Sequence, residues 1–218
     1  MKKNFSLFLA FVMLVCSVSA QDSPENNLSV SPTIEAAGSF NLALYNNSLK
    51  KSLNIQRSIL YSGGILLGVD FKQPHGVFSL QTGVVISNND FLYNYYGEKK
   101  FRSLFLNVPF VFGYAYRIND KFSVSASAGL VMKNLLKYDL SVTLNPPVEV
   151  QNRNIYGVYA ALGFWYHAST YFVLRVEPFF EYFWKDYISA SGSNIVANMS
   201  APVIGIRFAL KFNLVKMN

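Results

Sequence analysis

Charged residues are scarce in this chain: they make up 14% of its 218 residues, against 51% hydrophobic and 16% aromatic residues. A typical soluble domain carries about 25% charged residues, so this composition disfavours an ordinary soluble fold. The single cysteine, Cys16, lies in the N-terminal apolar segment and leaves the rest of the chain without disulfides. A small secreted domain held by disulfides is therefore excluded.

Long apolar runs and clustered positive charge are also missing. Beyond the N-terminal segment, the longest candidate for a membrane helix is the twelve-residue stretch Ile155–Tyr166. A spanning helix needs roughly 18 or more uncharged residues, so this stretch is too short. The formal charge falls from +7 to +5 without Lys2 and Lys3, and the remaining basic residues are dispersed. The sequence thus contains no nucleic-acid-binding patch.

The N-terminus has the organisation of a secretory signal peptide. Lys2 and Lys3 form a basic region, residues 5–15 are apolar, and small residues lead up to Ala20. We expect cleavage after Ala20 following export through the Sec pathway. An uncleaved anchor is the alternative, but the apolar run is shorter than the roughly 20 residues that a spanning helix needs. Lipidation at Cys16 is disfavoured because a small residue does not precede it.

Residues 104–116, LFLNVPFVFGYAY, show the pattern on which the rest of the chain is built. All even positions are large and apolar, whereas the odd positions are mixed and include Asn107 and Gly113. A period of two predicts a β-strand with one lipophilic face. At ~3.3 Å per residue and a tilt of about 40°, this strand covers ~33 Å along the membrane normal, close to the ~30 Å of a hydrocarbon core.

Pro109 lies in the middle of this stretch. Proline has no backbone N–H to donate to a neighbouring strand. We therefore expect a β-bulge or a local break in the ladder at Pro109, facing the lumen.

The same alternation predicts eight strands along the chain. They are Leu28–Leu44, Arg57–Phe71, Val77–Ser87, Leu104–Tyr116, Lys121–Lys137, Ile155–His167, Tyr171–Lys185 and a last strand ending near Val215. Four long connections alternate with three short ones; the long ones are Asn46–Gln56, Ser87–Phe101, Tyr138–Arg153 and Asp186–Val196. Short turns at one end and long loops at the other are typical of outer-membrane barrels.

These features predict an all-β fold, an eight-stranded antiparallel up-and-down transmembrane β-barrel. Residues 1–20 are the expected signal peptide and residues 21–218 the expected barrel domain. A soluble lipocalin-like barrel would also alternate, but the less apolar face here is rich in small polar residues and could not form an apolar core. Exposing the opposite face to water would create an apolar patch far larger than soluble proteins tolerate. We expect the protein to be integral to the bacterial outer membrane.

The inward face carries ionisable residues that closure of the barrel brings together. We hypothesise a luminal ion-pair network centred on Arg207 and formed by Glu35, Arg175, Glu177, Glu181, Arg207 and Lys211. Asp70 and Lys133 also fall on inward faces. The network is interpreted either as a plug or proton path, or as mutual neutralisation of charges in a lumen too narrow for bulk water.

Aromatic residues cluster near the predicted strand ends, as expected for interfacial girdles. At the short-turn end these include Tyr114, Tyr116, Trp165, Tyr166 and Tyr171. At the long-loop end, a contact surface is hypothesised from aromatic and basic residues: Tyr93, Tyr95, Tyr96, Lys50, Lys51, Lys99 and Lys100. The basic residues could pair with lipopolysaccharide phosphates or simply form a solvated rim.

The chain resembles the PorT-like family of bacterial outer-membrane β-barrels. The resemblance covers the strand order and is most specific at Leu106-Asn107-Val108-Pro109-Phe110, followed by Tyr114–Arg117 and a short turn. Gly205, Phe208 and Leu210 are similar to a barrel-assembly signal, which implies recognition by the barrel-assembly machinery. Family membership implies a location more than an activity.

Three functions are compatible with these sequence features. The first is a structural or surface-interaction barrel with a plugged polar lumen, whose long loops contact outer-membrane lipid, lipopolysaccharide or a protein partner. The second is an accessory role in protein secretion or envelope assembly, and the third is a lipid A-modifying enzyme. Both histidines, His75 and His167, fall at the short-turn end, and no catalytic, metal or cofactor spacing is present. We therefore predict no enzyme activity and no cofactor.

Overall fold

A computed structural model describes residues 29–43, 55–73, 75–94, 98–140, 148–150, 152–184, 188–192, 195–198 and 202–214. The predicted signal peptide lies outside these residues. The described strands are β1 (Ser29–Ala43), β2 (Ile55–Gln73), β3 (Gly76–Asn94), β4 (Glu98–Arg117), β5 (Phe122–Leu140), β6 (Val148–Val150), β7 (Asn154–His167), β8 (Phe172–Phe183), β9 (Ile188–Gly192), β10 (Ile195–Asn198) and β11 (Val203–Asn213).

Eight of these strands form a closed antiparallel barrel in the order β1-β11-β8-β7-β5-β4-β3-β2. Closure joins β1 to β11, with Glu35 opposite Lys211 and Leu42 opposite Ile204. A closed sheet has no free edge, so hydrocarbon meets no unpaired backbone donors along the wall. The predicted eight-stranded up-and-down barrel is confirmed.

Short turns close one end of the barrel. In the β4–β5 turn the side chain of Asn119 accepts hydrogen bonds from the backbone N–H groups of Lys121 and Phe122, both at 2.9 Å. Asn favours such turns because its side chain replaces a backbone acceptor. In the β7–β8 turn the backbone N–H of Ala168 donates to Phe172 at 3.0 Å.

The opposite end differs from the prediction. Residues 87–101 were expected to form a long loop, and this expectation is wrong: β3 and β4 stay paired from Ser87–Phe105 up to Asn94–Glu98. The segment contains several asparagines, which favour turns, but its Phe and Tyr residues favour strands and pairing across the hairpin prevails. The expected loops at 138–153 and 186–196 also contain strand residues, because β6, β9 and β10 form a separate three-stranded sheet.

The strands β2 to β5 are longer than the others. They have 19, 19, 20 and 19 residues, against 15, 14, 12 and 11 in β1, β7, β8 and β11. Pairing of β5 with β7 ends at Asn134–Asn154, while pairing of β5 with β4 continues to Leu140. We call residues 55–60, 89–94, 98–103 and 135–140 the projecting wall. About six extra residues carry it roughly 20 Å further along the strands.

Pro109 interrupts one of its two ladders. The pairs between β3 and β4 run to Thr82–Phe110 and resume at Val85–Asn107, whereas on the other side Pro109 pairs with Val131. The predicted local break is confirmed, and the register on both sides of it is the same. A β-bulge lies elsewhere, in the β4–β5 pair, at Leu136 between the pairs Leu104–Lys137 and Phe105–Leu135.

Candidate functional site

The interior of the barrel is the candidate site, and strand periodicity decides which side chains enter it. In β7, β8 and β11 burial alternates residue by residue, with odd positions inward. The outward face forms an apolar belt of large exposed side chains, among them Phe40, Ile65, Phe110, Phe112, Leu130, Leu162, Phe164, Phe180 and Phe208. The two predicted faces are therefore confirmed.

Five basic and four acidic side chains are buried in the described part of the lumen: Lys72, Lys133, Arg175, Arg207 and Lys211 with Glu35, Asp70, Glu177 and Glu181. Arg175 on β8 binds two carboxylates at once, those of Glu35 on β1 and Glu177 on its own strand. It also donates to Gln81 Oε1 at 3.3 Å, and Gln81 donates to Glu35 Oε2 at 3.2 Å. Because β8 and β3 lie on opposite sides of the barrel, these contacts cross the whole lumen.

Two further ion pairs lie towards the two ends of the lumen. Lys211 Nζ is 2.6 Å from Asp70 Oδ2 on the short-turn side, and Lys133 Nζ is 2.9 Å from Glu181 Oε2 on the opposite side. All four side chains are buried. A charge buried this far from water is stable only when it is paired, so each partner fixes the other.

Aromatic rings support four of the luminal cations. Arg175 and Lys211 lie over Trp165, with 4.7 and 4.5 Å to the ring centre, and Lys133 lies 4.1 Å from the centre of Phe183. Arg207 lies 4.7 Å from the ring of Tyr159. The negative ring face attracts a cation, so these contacts add to the ion pairs and fill space that water would otherwise occupy.

Gly163 on β7 makes room for the central cluster. A Cβ atom at this position would lie 2.3 Å from Ser125 Oγ and 3.0 Å from Glu177 Cγ. Ser125 Oγ in turn accepts a 2.8 Å hydrogen bond from Trp165 Nε1. The missing side chain therefore lets Glu177 and the Trp165–Ser125 pair lie side by side.

All six residues of the hypothesised network lie in the lumen, but their arrangement differs from the hypothesis. The centre is Arg175 and not Arg207, whose Nη1 is 3.9 Å from Glu177 Oε2. Lys211 stands directly opposite Glu35 in the β1–β11 register, yet it pairs with Asp70. The reason is the tilt of the strands relative to the barrel axis. Because of this tilt, residues at the same level along the axis are not directly opposite each other in the hydrogen-bonded register.

The hypothesised network omitted several residues that contact its members in the structure, among them Asp70, Lys133, Gln81 and Tyr159. Trp165 was expected in the short-turn girdle; that expectation is wrong, because the side chain is 3% exposed and lies inside the lumen. The alternation of β7 carries the signal that places it there, since Trp165 shares odd parity with the buried Ile155 and Tyr159. Tyr116, Tyr166 and Tyr171 do lie exposed at that end.

The hypothesised contact surface at the long-loop end falls only partly within the described residues. Tyr93 belongs to β3, and Lys99 and Lys100 belong to β4. The other members, Tyr95, Tyr96, Lys50 and Lys51, lie outside the described residues. This surface stays a prediction.

Neither a metal-binding cluster nor a membrane-spanning helix is found in the part of the chain that the structure describes. No three His, Cys, Asp or Glu side chains there are grouped closely enough to hold a metal ion. Those same residues include no helix with the length and apolarity to cross a bilayer. His167 Nε2 instead lies 2.9 Å from Ser123 Oγ at the short-turn end.

A closed eight-stranded barrel with short turns at one end, a lipid-facing apolar belt and a polar interior defines an integral outer-membrane β-barrel protein. Its apolar surface requires a bilayer as solvent. Within this class, the chain belongs to the family described as a domain of unknown function, DUF2715, whose model matches residues 18–212. The match does not test the resemblance to the PorT-like family, which stays a prediction.

No curated protein matches this chain. Among solved structures, the chain is similar to the outer membrane protein OprG from Pseudomonas aeruginosa, at 10% identity and a TM-score of 0.48 over 86% of this chain and 95% of that one. It is also similar to Ail from Yersinia pestis, at 13% identity and a TM-score of 0.42 over 85% of this chain and 97% of that one. A third similar structure is the outer membrane protease OmpT from Escherichia coli, at 11% identity and a TM-score of 0.40 over 90% of this chain and 100% of that one. These similarities are too distant to carry an inference about function.

Proposed function

We propose that this barrel is a non-conducting anchor in the outer membrane that acts at the cell surface by binding a protein partner. The observation that supports this most directly is the cross-lumen contact of Arg175 with Glu35 and Gln81. An eight-stranded barrel is just wide enough for its interior to be filled by side chains. With the lumen filled in this way, the activity lies outside the barrel.

The projecting wall supplies a surface for such binding. Its four strands remain hydrogen-bonded to one another beyond the end of the β5–β7 pairing, so the wall holds its residues in fixed positions. Binding residues are commonly carried by segments that a rigid scaffold positions, and the wall extends that scaffold away from the membrane.

Photocrosslinking in intact cells tests this proposal. A photoreactive amino acid at Tyr138, exposed on the projecting wall, is expected to give an adduct with a protein, whereas the same group at Phe112 in the apolar belt is expected to give lipid adducts only. Replacing residues 91–101 by Asn-Gly would join the paired residues Asp90 and Arg102 by a two-residue hairpin turn. This shortened variant should keep the barrel and lose the adduct.

A matched control replaces the short turn 118–121 at the opposite end by another four-residue turn, and it should keep the protein adduct. Protein adducts at Phe112 as abundant as at Tyr138, or none at Tyr138, would refute the proposal. Heat-modifiable migration in gels shows whether each variant still forms the barrel.

An accessory role in secretion or envelope assembly is the second candidate, supported by the resemblance of Leu106–Phe110 to the PorT-like family. Loss of secreted cargo on deletion of the gene would favour it over binding at the cell surface. A change in the mass of lipid A on deletion would instead favour the lipid A-modifying enzyme, for which no described residue cluster provides support.

A further inference from the structure

A cleft of about 370 Å³ lies on the outer surface where the projecting wall meets the apolar belt. Its lining includes acidic, basic and aromatic residues, among them Tyr61, Asp90, Arg102, Leu104, Lys137 and Asp139. Its volume falls at the lower end of the range typical of small-molecule sites. The luminal ion pairs lie on the other face of the sheet and take no part in it.

The β-bulge in β5 decides which charged residues of that strand line this cleft. Below the bulge, the odd residues Val131 and Lys133 face the lumen. The extra residue, Leu136, shifts the register by one, so that Lys137 pairs with Leu104 and Asp139 pairs with Arg102 on the outward face. A bulge turns side chains to the opposite face of a sheet. Two charged residues that plain alternation would send into the lumen therefore stand on the outer wall.

The charges of the cleft are balanced and ordered. Arg102 stands between Asp90 on β3 and Asp139 on β5 in one row across three strands. Its Nε lies 3.6 Å from Asp90 Oδ2, and its side chain is still 60% exposed. Lys137 stands in the next row towards the belt, beside Leu104. Two positive and two negative groups thus share one small cleft above an apolar surface.

We propose that this cleft binds the headgroup of a zwitterionic phospholipid. Arg102 and Lys137 would hold the phosphate by charge-assisted hydrogen bonds. Asp90 and Asp139 would attract the ammonium group, which the ring face of Tyr61 also favours. The acyl chains would run down the apolar belt from Leu104. An anionic headgroup lacks the ammonium and would be repelled by both carboxylates.

The proposal does not rest on the proposed partner binding, because it concerns lipid and is measured on the purified protein. The cleft does share Asp90, Arg102, Lys137 and Asp139 with the projecting wall. It is tested by native mass spectrometry of the folded barrel in detergent, titrated with short-chain phosphatidylcholine or phosphatidylglycerol. We expect phosphatidylcholine to be retained at about tenfold lower concentration than phosphatidylglycerol. Equal retention of the two lipids would overturn the proposal.

Two double variants separate the two halves of the headgroup. R102Q/K137Q is expected to weaken phosphatidylcholine retention by about tenfold, since both phosphate contacts are lost. D90N/D139N should instead favour phosphatidylglycerol over phosphatidylcholine, because the carboxylates that repel it are gone. The control R117Q/D120N changes exposed charges at the short-turn end and should leave retention unchanged. Unchanged retention in both cleft variants would also overturn the proposal.

Discussion

Arg175 on β8 forms a buried ion pair with Glu35 on β1, across the intervening strand β11. The pair links residues 140 positions apart in sequence. In the hydrogen-bonded register, Arg175 is opposite Ala209, which is opposite Ala37, two residues beyond Glu35. The ion pair therefore joins residues that are offset in the hydrogen-bonded register, as the tilt of the strands allows. It links two strands, β8 and β1, that share no backbone hydrogen bonds.

A double-mutant cycle on Asp70 and Lys211 measures how strongly the buried pairs couple. D70N leaves the buried Lys211 without its carboxylate, and K211M leaves the buried Asp70 without the ammonium group 2.6 Å away, so each should lower the free energy of unfolding by about 3–5 kcal/mol. The free energy of unfolding should fall clearly less in the double variant than the sum of the two single-variant losses, because neither Asp70 nor Lys211 is then left without the other. Urea unfolding in lipid vesicles provides the measurement.

The exposed pair Asp90–Arg102 is the matched control for this cycle, with its side chains at 3.6 Å. Its coupling should be about 1 kcal/mol or less, because water screens both charges. Equal coupling in the two pairs would mean that the luminal pair is not shielded from water.

The substitution Gly163→Ala tests how closely the luminal cluster is packed. The added methyl group would overlap Ser125 Oγ at 2.3 Å and crowd Glu177, so we expect a loss of about 1–3 kcal/mol in the free energy of unfolding. Gly38→Ala is the control, because its nearest neighbour would be the Ser62 carbonyl oxygen at 3.6 Å, an ordinary contact. Similar stabilities for the two variants would show that the cluster has room to spare.

Tryptophan fluorescence distinguishes the lumen from the lipid face. The chain has two tryptophans. Trp165 is 3% exposed and faces inward, whereas Trp184 is 57% exposed. In vesicles of lipid brominated near the headgroup, bromine should strongly quench the fluorescence of the variant Trp165→Phe, because its remaining tryptophan is the exposed Trp184. The variant Trp184→Phe should be quenched far less, and the reverse order would place Trp165 among lipids.

The substitution Phe110→Arg tests the apolar belt. Phe110 lies outward at the middle of residues 104–116. A charged side chain at the bilayer midplane of a barrel costs about 2–4 kcal/mol, which should appear as an equal loss in the free energy of unfolding. Ile118→Arg, in the short turn beyond the belt, should change it by less than about 0.5 kcal/mol. Comparable losses would show that Phe110 does not face hydrocarbon.

Much of the fold follows from the sequence because the period of two sets the face of each strand without reference to its neighbours. Phe112 and Asn107 are assigned to lipid and lumen by parity alone. Pro109 marks a break in the ladder because its missing N–H is a local property. The length of β3 and β4 beyond Ser87 could not be predicted in this way, since pairing across the hairpin overrides the turn preference of the asparagines there.

The candidate site was predictable in its members and not in its pairs. Glu35, Arg175 and Glu177 fall on inward faces by parity, but their pairing depends on the tilt of the closed barrel. Lys211, Glu35 and Leu66 form one register row, yet the partner of Lys211 is Asp70, four residues further along β2. The bulge at Leu136, which decides where Lys137 and Asp139 lie, does not follow from the period of two in β5.

Single-channel recording in planar lipid bilayers shows whether the lumen is closed to ions. We expect the purified, folded barrel to insert without producing stepwise conductance, because the contacts of Arg175 with Glu35, Glu177 and Gln81 fill the lumen from β8 to β3. Stable openings of ionic size in the wild-type protein would contradict it.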